Sequence, residues 1–201
     1  MLFYQPQILL SDPLELLFIW NGGMSFHGGM LGVFMACWWY GRKTDRTFFD
    51  VTDFVAPVIP IGLFFGRIAN FINGELWGRP TDLSWGMIFP DPRAGGVPRH
   101  PSQLYEAALE GIVLFAIIAV LAFRFRALDR PGLLVGVFFT GYGMARTAVE
   151  SVRQYDTDLP LVFGFLTHGM WLSLPMIAVG LWFIMRALNT APVTAGQAKK
   201  S

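Results

Sequence analysis

Apolar residues along this chain come in long runs separated by short polar stretches, without the strict alternation of a half-buried strand. Five runs, at roughly 24–40, 54–74, 103–123, 132–150 and 166–186, are long enough, or nearly so, to cross a bilayer. A ~30 Å hydrocarbon core takes about 20 helical residues, and a helix satisfies all its backbone hydrogen bonds within one segment. The pattern predicts an all-α polytopic membrane bundle of about five transmembrane helices with an outer-face loop region. No repeat, low-complexity tract or second soluble domain interrupts it. Residues 1–190 therefore read as a single membrane-embedded domain, and residues 191–201 as a disordered cytoplasmic tail.

Composition agrees with this picture. Hydrophobic residues make up 54% of the 201 positions and charged residues 14%, against about 25% charged in soluble domains. The single cysteine, Cys37, excludes an internal disulfide framework and reads as a small apolar filler within its span. The formal net charge of +1 says little; the placement of the charges says more. The stretches near 41–50, 124–131 and after 186 hold Arg42, Lys43, Arg46, Arg124, Arg126, Arg130, Arg186, Lys199 and Lys200, including every lysine in the chain. The positive-inside rule makes those three stretches cytoplasmic. Met1 then starts on the outer side with no signal peptide before it, so a further upstream segment is expected.

The remaining basic residues, Arg67, Arg79, Arg93, Arg99, Arg146 and Arg153, fall on the outer side or in the outer ends of helices, as do His27, His100 and His168. Arginine without lysine, on the side that normally avoids both, points to anion recognition, because a guanidinium presents a planar fork to phosphate. A charge within a span costs about 2.5–3.5 kcal/mol on the mildest insertion scale and faces the bundle interior or water. Arg67 follows Gly66 near the end of its run, with Asn70, Asn73 and Gly74 on the same side of the helix. Glu75 and Glu150 are the pairing partners considered for it. In the 132–150 run, Tyr142, Arg146 and Glu150 recur at i+4 and share a face. Two helices thus each bring an arginine to one depth, as a two-arginine clamp would.

Pro101 and Ser102 start the next helix, where Glu106 and Glu110 share a face and Glu110 lies one turn deeper. At the mouth of the first run, His27 is followed by Gly28 and Gly29, a bare stretch of backbone that a neighbouring helix or a lipid headgroup can approach. A histidine there serves either as a polar anchor or as a proton-transfer group. Neither a Gly-x-Ser-x-Gly elbow nor a His-Glu-x-x-His zinc motif is present, and the histidines lack metal-ligand spacing. No metal, cofactor or nucleic acid is expected. What the residues describe is an enzyme or carrier that handles an anionic phospholipid.

The blocks "NGGMSFHGG", "GRIANFINGELWGR", "RHPSQLYEAALEG" and "GYGMARTAVESVRQ", in this order and spacing, resemble bacterial prolipoprotein diacylglyceryl transferase over about residues 3–185. The resemblance implies transfer of the diacylglyceryl group of phosphatidylglycerol to the lipobox cysteine of a preprolipoprotein, forming a thioether and releasing glycerol phosphate. It also implies a bacterial inner-membrane location with the site at the periplasmic face. On it, Arg67 matches the lipid-binding arginine, Arg146 a second essential arginine, and His27 becomes the candidate base. Asn70, Glu75, Gly78, Tyr142 and Glu150 match residues around the same cavity, with His100, Glu106, Gly28 and Gly29 nearby. Family members have two further N-terminal helices, one carrying an active-site tyrosine without a counterpart here. Ala69 stands where glycine is common. Met170 replaces a common glutamine, so His168 is not assigned a role. The alternative is a non-catalytic protein that binds anionic phospholipid, or an inactive fragment; the residues leave the oligomeric state open.

Overall fold

The computed structural model describes residues 26–154 and 167–192. The side chains of His27 and His168, the backbone-only Gly28, and the tail from 193 lie outside what it describes. The chain packs as two compact units that divide between Val51 and Thr52.

In the first unit, helix α1 (Phe26–Lys43) carries Arg42 and Lys43 in its last turn, where cations complement the carbonyl end of a helix. The Arg42 guanidinium lies 4.2 Å from the centre of the Trp38 ring. Helix α2 (Phe48–Val55) starts earlier than the apolar run suggests, and the reason is local. Thr47 N and Oγ1 donate to Asp50 Oδ2 at 2.9 and 2.7 Å, and Asp50 N donates back to Thr47 Oγ1 at 3.2 Å. This reciprocal cap fixes a helix start inside the stretch expected to be loop.

The run read as one helix over 54–74 is broken. Pro57 cannot donate a backbone N–H and restricts the residue before it, so α2 stops at Val55 and α3 (Ile59–Ile72) starts afresh with Pro60 in its first turn. The two meet at a 42° bend. Helix α4 (Ser102–Arg124) contains a π-helical segment, Ala107–Val113; such segments often mark functional sites. Helices α5 (Leu133–Glu150) and α6 (His168–Asn189) pack along each other through facing glycines. A methyl group on Gly136 would sit 2.9 Å from Gly180 O, and one on Gly143 would sit 2.6 Å from Ile177 Cγ1. Small residues at such faces let helices approach without a hydrophobic driving force.

The core of the second unit joins α4 and α5 through Leu114, Ile118, Ala122, Leu134 and Phe138, with Ala56 and Ala127. Helices occur at all five predicted segments. Ser102–Arg124 and Gly169–Asn189 are each long and apolar enough to span a membrane, and the bent pair α2–α3 makes a third if it is one span. Among the described residues there are no strands, only isolated bridges. The chain is a helical membrane protein.

Asp53 secures α5 from a distance that sequence spacing does not reveal. It is 1% exposed, and its Oδ2 and Oδ1 accept from the backbone N–H groups of Gly132 and Val135, both at 2.8 Å. Asp53→Ala leaves those buried donors without an acceptor and should cost about 2–3 kcal/mol. Thermal unfolding in detergent checks this, with Asp53→Asn, which keeps one acceptor, losing less.

Candidate functional site

Glu106 is the centre of a six-membered ionic cluster. It lies in the first turns of α4 and is 0% exposed. Its Oε1 accepts from Arg146 Nη1 at 2.7 Å, and its Oε2 is 3.1 Å from Arg67 Nε. One turn deeper, the equally buried Glu110 accepts from both Nε and Nη2 of Arg67, at 3.2 and 3.0 Å. Arg146 also pairs with Glu150 across one helical turn at 3.2 Å. Arg153, just past the end of α5, lies 3.8 Å from Glu106 and 3.9 Å from Glu150. Three guanidiniums thus meet three carboxylates at the ends of α3, α4 and α5.

This arrangement brings Arg67 and Arg146 together on one carboxylate, Glu106, and it corrects how Arg67 is paired. Its partners are Glu106 and Glu110, not Glu75 or Glu150. Glu75 is exposed and accepts from Asn73 Nδ2 at 3.3 Å. The guanidiniums are also not free: the cluster balances its own charge, as burial in a span requires. Only 14% of the Arg146 side chain and 17% of the Arg67 side chain reach the surface, so an incoming anion must share or displace a carboxylate.

Arg153 belongs to this cluster, whereas the sequence placed it only among the six outer-side arginines and not among the site residues. Its placement follows from the loop between α3 and α4. Gly78 N donates to His100 O at 2.8 Å, Arg79 N to Val152 O at 2.8 Å, and His100 N to Arg79 O at 3.0 Å. These crossings pin the segment after α5 beside the start of α4. Burial, and then the neighbouring Arg146 cation, pull the Arg153 guanidinium below its ordinary value, against the lift from Glu106 and Glu150. A third cation is therefore held at the rim under electrostatic stress.

The other predicted residues fall around this centre. Asn70 is half-buried one turn along α3 from Arg67, and its carbonyl accepts from Glu75 N at 3.0 Å. The turn beyond it, with Gly74 and Leu76 both at positive φ, is tied to α4. Gln103 Nε2 donates to Glu75 O at 2.5 Å and Ser102 Oγ to Leu76 O at 3.0 Å. Tyr142, on the same face of α5 as Arg146, stacks on Phe138 with ring centres 5.9 Å apart. His100 lies outside the ionic cluster, its Nδ1 3.3 Å from Tyr105 Oη, which accepts from Trp85 Nε1 at 2.8 Å. His27, Gly28 and Gly29 belong to the first unit; a methyl group on Gly29 would meet nothing within 4 Å. Among the described residues, no group of three His, Cys, Asp or Glu could hold a metal ion.

Gly78 has a packing role that the sequence did not disclose. A Cβ there would sit 2.6 Å from Val152 O and 2.7 Å from His100 Cβ. Since one of these neighbours is backbone, Gly78→Ala should separate the crossing segments, shift Arg153 and lower activity by about a hundredfold, a loss typical of misplaced catalytic geometry. Initial rates beside an unfolding curve test this.

Known proteins resemble this chain over most of its length. A family model described as prolipoprotein diacylglyceryl transferase matches residues 1–186. A phosphatidylglycerol–prolipoprotein diacylglyceryl transferase of Solidesulfovibrio magneticus is 57% identical, over 92% of this chain and 69% of its own length. Proteins of the same name from Phenylobacterium zucineum and Rhodospirillum centenum are 51% and 55% identical, over 96% and 92% of this chain and 71% and 68% of their own lengths. The match runs through α3, α4, α5 and most of α6, and so includes all six residues of the ionic cluster: the chain belongs to the prolipoprotein diacylglyceryl transferase family.

Proposed function

We propose that this protein transfers the diacylglyceryl group of phosphatidylglycerol to the lipobox cysteine of preprolipoproteins. The thiolate sulfur attacks the glyceryl carbon that bears the phosphate ester. A C–S bond forms, the C–O bond breaks, and glycerol phosphate leaves. The phosphodiester carries one negative charge and the departing phosphate monoester gains a second, so negative charge grows at the phosphate as the bond breaks. Cations already fixed around that position stabilise the transition state without reorganising. The observation that carries this reading is the joining of Arg67 and Arg146, from two separate helices, through one buried carboxylate.

The rest of the cluster suits a glycerol headgroup. Gln103 Oε1 and Glu110 Oε1 are buried and accept no hydrogen bond among the described residues, and buried acceptors of this kind take hydroxyl donors. Asn70, Glu75, Tyr142 and Glu150 line the surroundings of the bound lipid, with His100 and Glu106 close by. In this reading five helices cross the bacterial inner membrane, the site faces the periplasm and the C-terminus is cytoplasmic. The substrate supplies the nucleophile, and His27 takes its proton.

A membrane assay with phosphatidylglycerol and a lipobox peptide tests the function. Thioether-linked lipopeptide together with released glycerol phosphate supports it. Lipid binding without product, unchanged by the peptide, would favour a non-catalytic lipid-binding protein. His27→Gln keeps polarity and most of the volume but removes a proton acceptor of near-neutral pKa. Turnover should drop about a hundredfold and lose its rise between about pH 6 and 8. An unchanged pH profile would leave His27 a positioning group.

A further inference from the structure

At the start of α6, Gly169 lies against the ionic cluster. Thr167 caps the helix, accepting from Met170 N at 3.2 Å, and Gly169 lies in the first turn. A methyl group on Gly169 would lie 2.8 Å from Glu150 Oε2, 2.9 Å from its Cδ and 3.0 Å from its Oε1. All three nearest atoms are one carboxylate. This differs from Gly180, further along the α5–α6 pair. A group on Gly180 would meet Thr140 N at 2.7 Å and Gly136 O at 2.8 Å, backbone atoms that yield only if the helices separate.

At Gly169 the obstructing atoms end a flexible side chain, so an added methyl would be relieved by turning Glu150 aside rather than by separating α5 from α6. Glu150 has nowhere neutral to turn. It is 3% exposed, and its Oε2 lies 3.2 Å from Arg146 Nη2 and 3.9 Å from Arg153 Nη1. Turning it away takes from Arg146 and Arg153 one of the two carboxylates that orient them, leaving Glu106 alone among the described residues. The amide end of α6 adds a favourable field for a carboxylate held at this spot.

We propose that Gly169 is a positioning residue: its bare backbone holds the Glu150 carboxylate against Arg146 and Arg153 and so sets these two cations for the lipid phosphate. This rests on the diacylglyceryl-transfer reading. The test is a double-mutant cycle of Gly169→Ala and Glu150→Asp, since aspartate is shorter by one methylene and leaves room for the added methyl. Gly169→Ala alone should lower kcat about thirtyfold at matched amounts of folded protein, and should cost less than about threefold in the Glu150→Asp background. Equal losses in both backgrounds, or no loss in the parent, would overturn the proposal. The same four proteins, solubilised in detergent, are compared for binding of dioleoyl-phosphatidylglycerol in mixed micelles. Gly169→Ala should weaken binding in the parent and not in the Glu150→Asp background, and equal weakening in both would overturn the proposal. This binding cycle decides the role of Gly169 even if Glu150→Asp is inactive. Absence of product from the parent protein would count against the transferase reading alone.

Discussion

Glu106→Gln should abolish detectable turnover while leaving a helical membrane protein that can be purified. Glu106 is the one carboxylate in contact with all three arginines, at 3.1, 2.7 and 3.8 Å. An amide of nearly the same shape keeps an acceptor oxygen but turns an NH2 toward guanidiniums that donate only. Three buried cations would then share two carboxylates. Removing one partner from a buried ionic network costs about 3–5 kcal/mol, because the charges left behind remain desolvated. Much of that strain is relieved by swinging Arg67 or Arg153 outward, which dismantles the phosphate site. Glu106→Asp keeps the charge but shortens the reach, and should retain partial activity. Rates for the three proteins, with unfolding midpoints alongside, check the order wild type, then Asp, then Gln.

Arg67→Lys should be almost as damaging as Arg67→Ala, with a loss of about a hundredfold or more. Arg67 bridges two carboxylates on successive turns of α4, and its Nε and Nη2 both donate to Glu110. An ammonium is a point donor on a flexible stem and cannot reproduce that fork. Since Glu110 is 0% exposed, any replacement that leaves it unpaired also stresses the helix pair. Arg146, attached to Glu106 at 2.7 Å and to Glu150 at 3.2 Å, should respond the same way. Arg153, held at 3.8 and 3.9 Å, should respond more weakly. Measured rates graded in that order would match the distances.

Much of this was legible in the residues, for a physical reason. Lipid penalises a charge so heavily that Arg67 and Arg146 stand out on position alone, and the i+4 step from Arg146 to Glu150 predicts the ion pair found. The partner of Arg67 was not legible, because Glu75 is near in sequence but exposed, while Glu106 and Glu110 arrive from another helix. Arg153 left a usable signal: it follows Glu150 by three residues, one turn further along the face that carries Arg146. It counted among the outer-side arginines without a place in the site, because it lies beyond the apolar run. Hydropathy also hid the break at Pro57, since the apolar run continues across it, and hid the cap that starts α2 at Phe48. The hold of Asp53 on α5 and the contact of Gly169 with Glu150 depend on packing between distant segments, which no local pattern carries.

The central claim is that the arginines joined by Glu106 hold the phosphate of the lipid during transfer. Its most direct test is the initial rate of thioether-linked lipopeptide formation from phosphatidylglycerol, compared between the wild-type protein and Arg146→Ala at matched amounts of folded protein. The account predicts product from the wild type and a loss of about a thousandfold for Arg146→Ala. Full turnover by Arg146→Ala would contradict it.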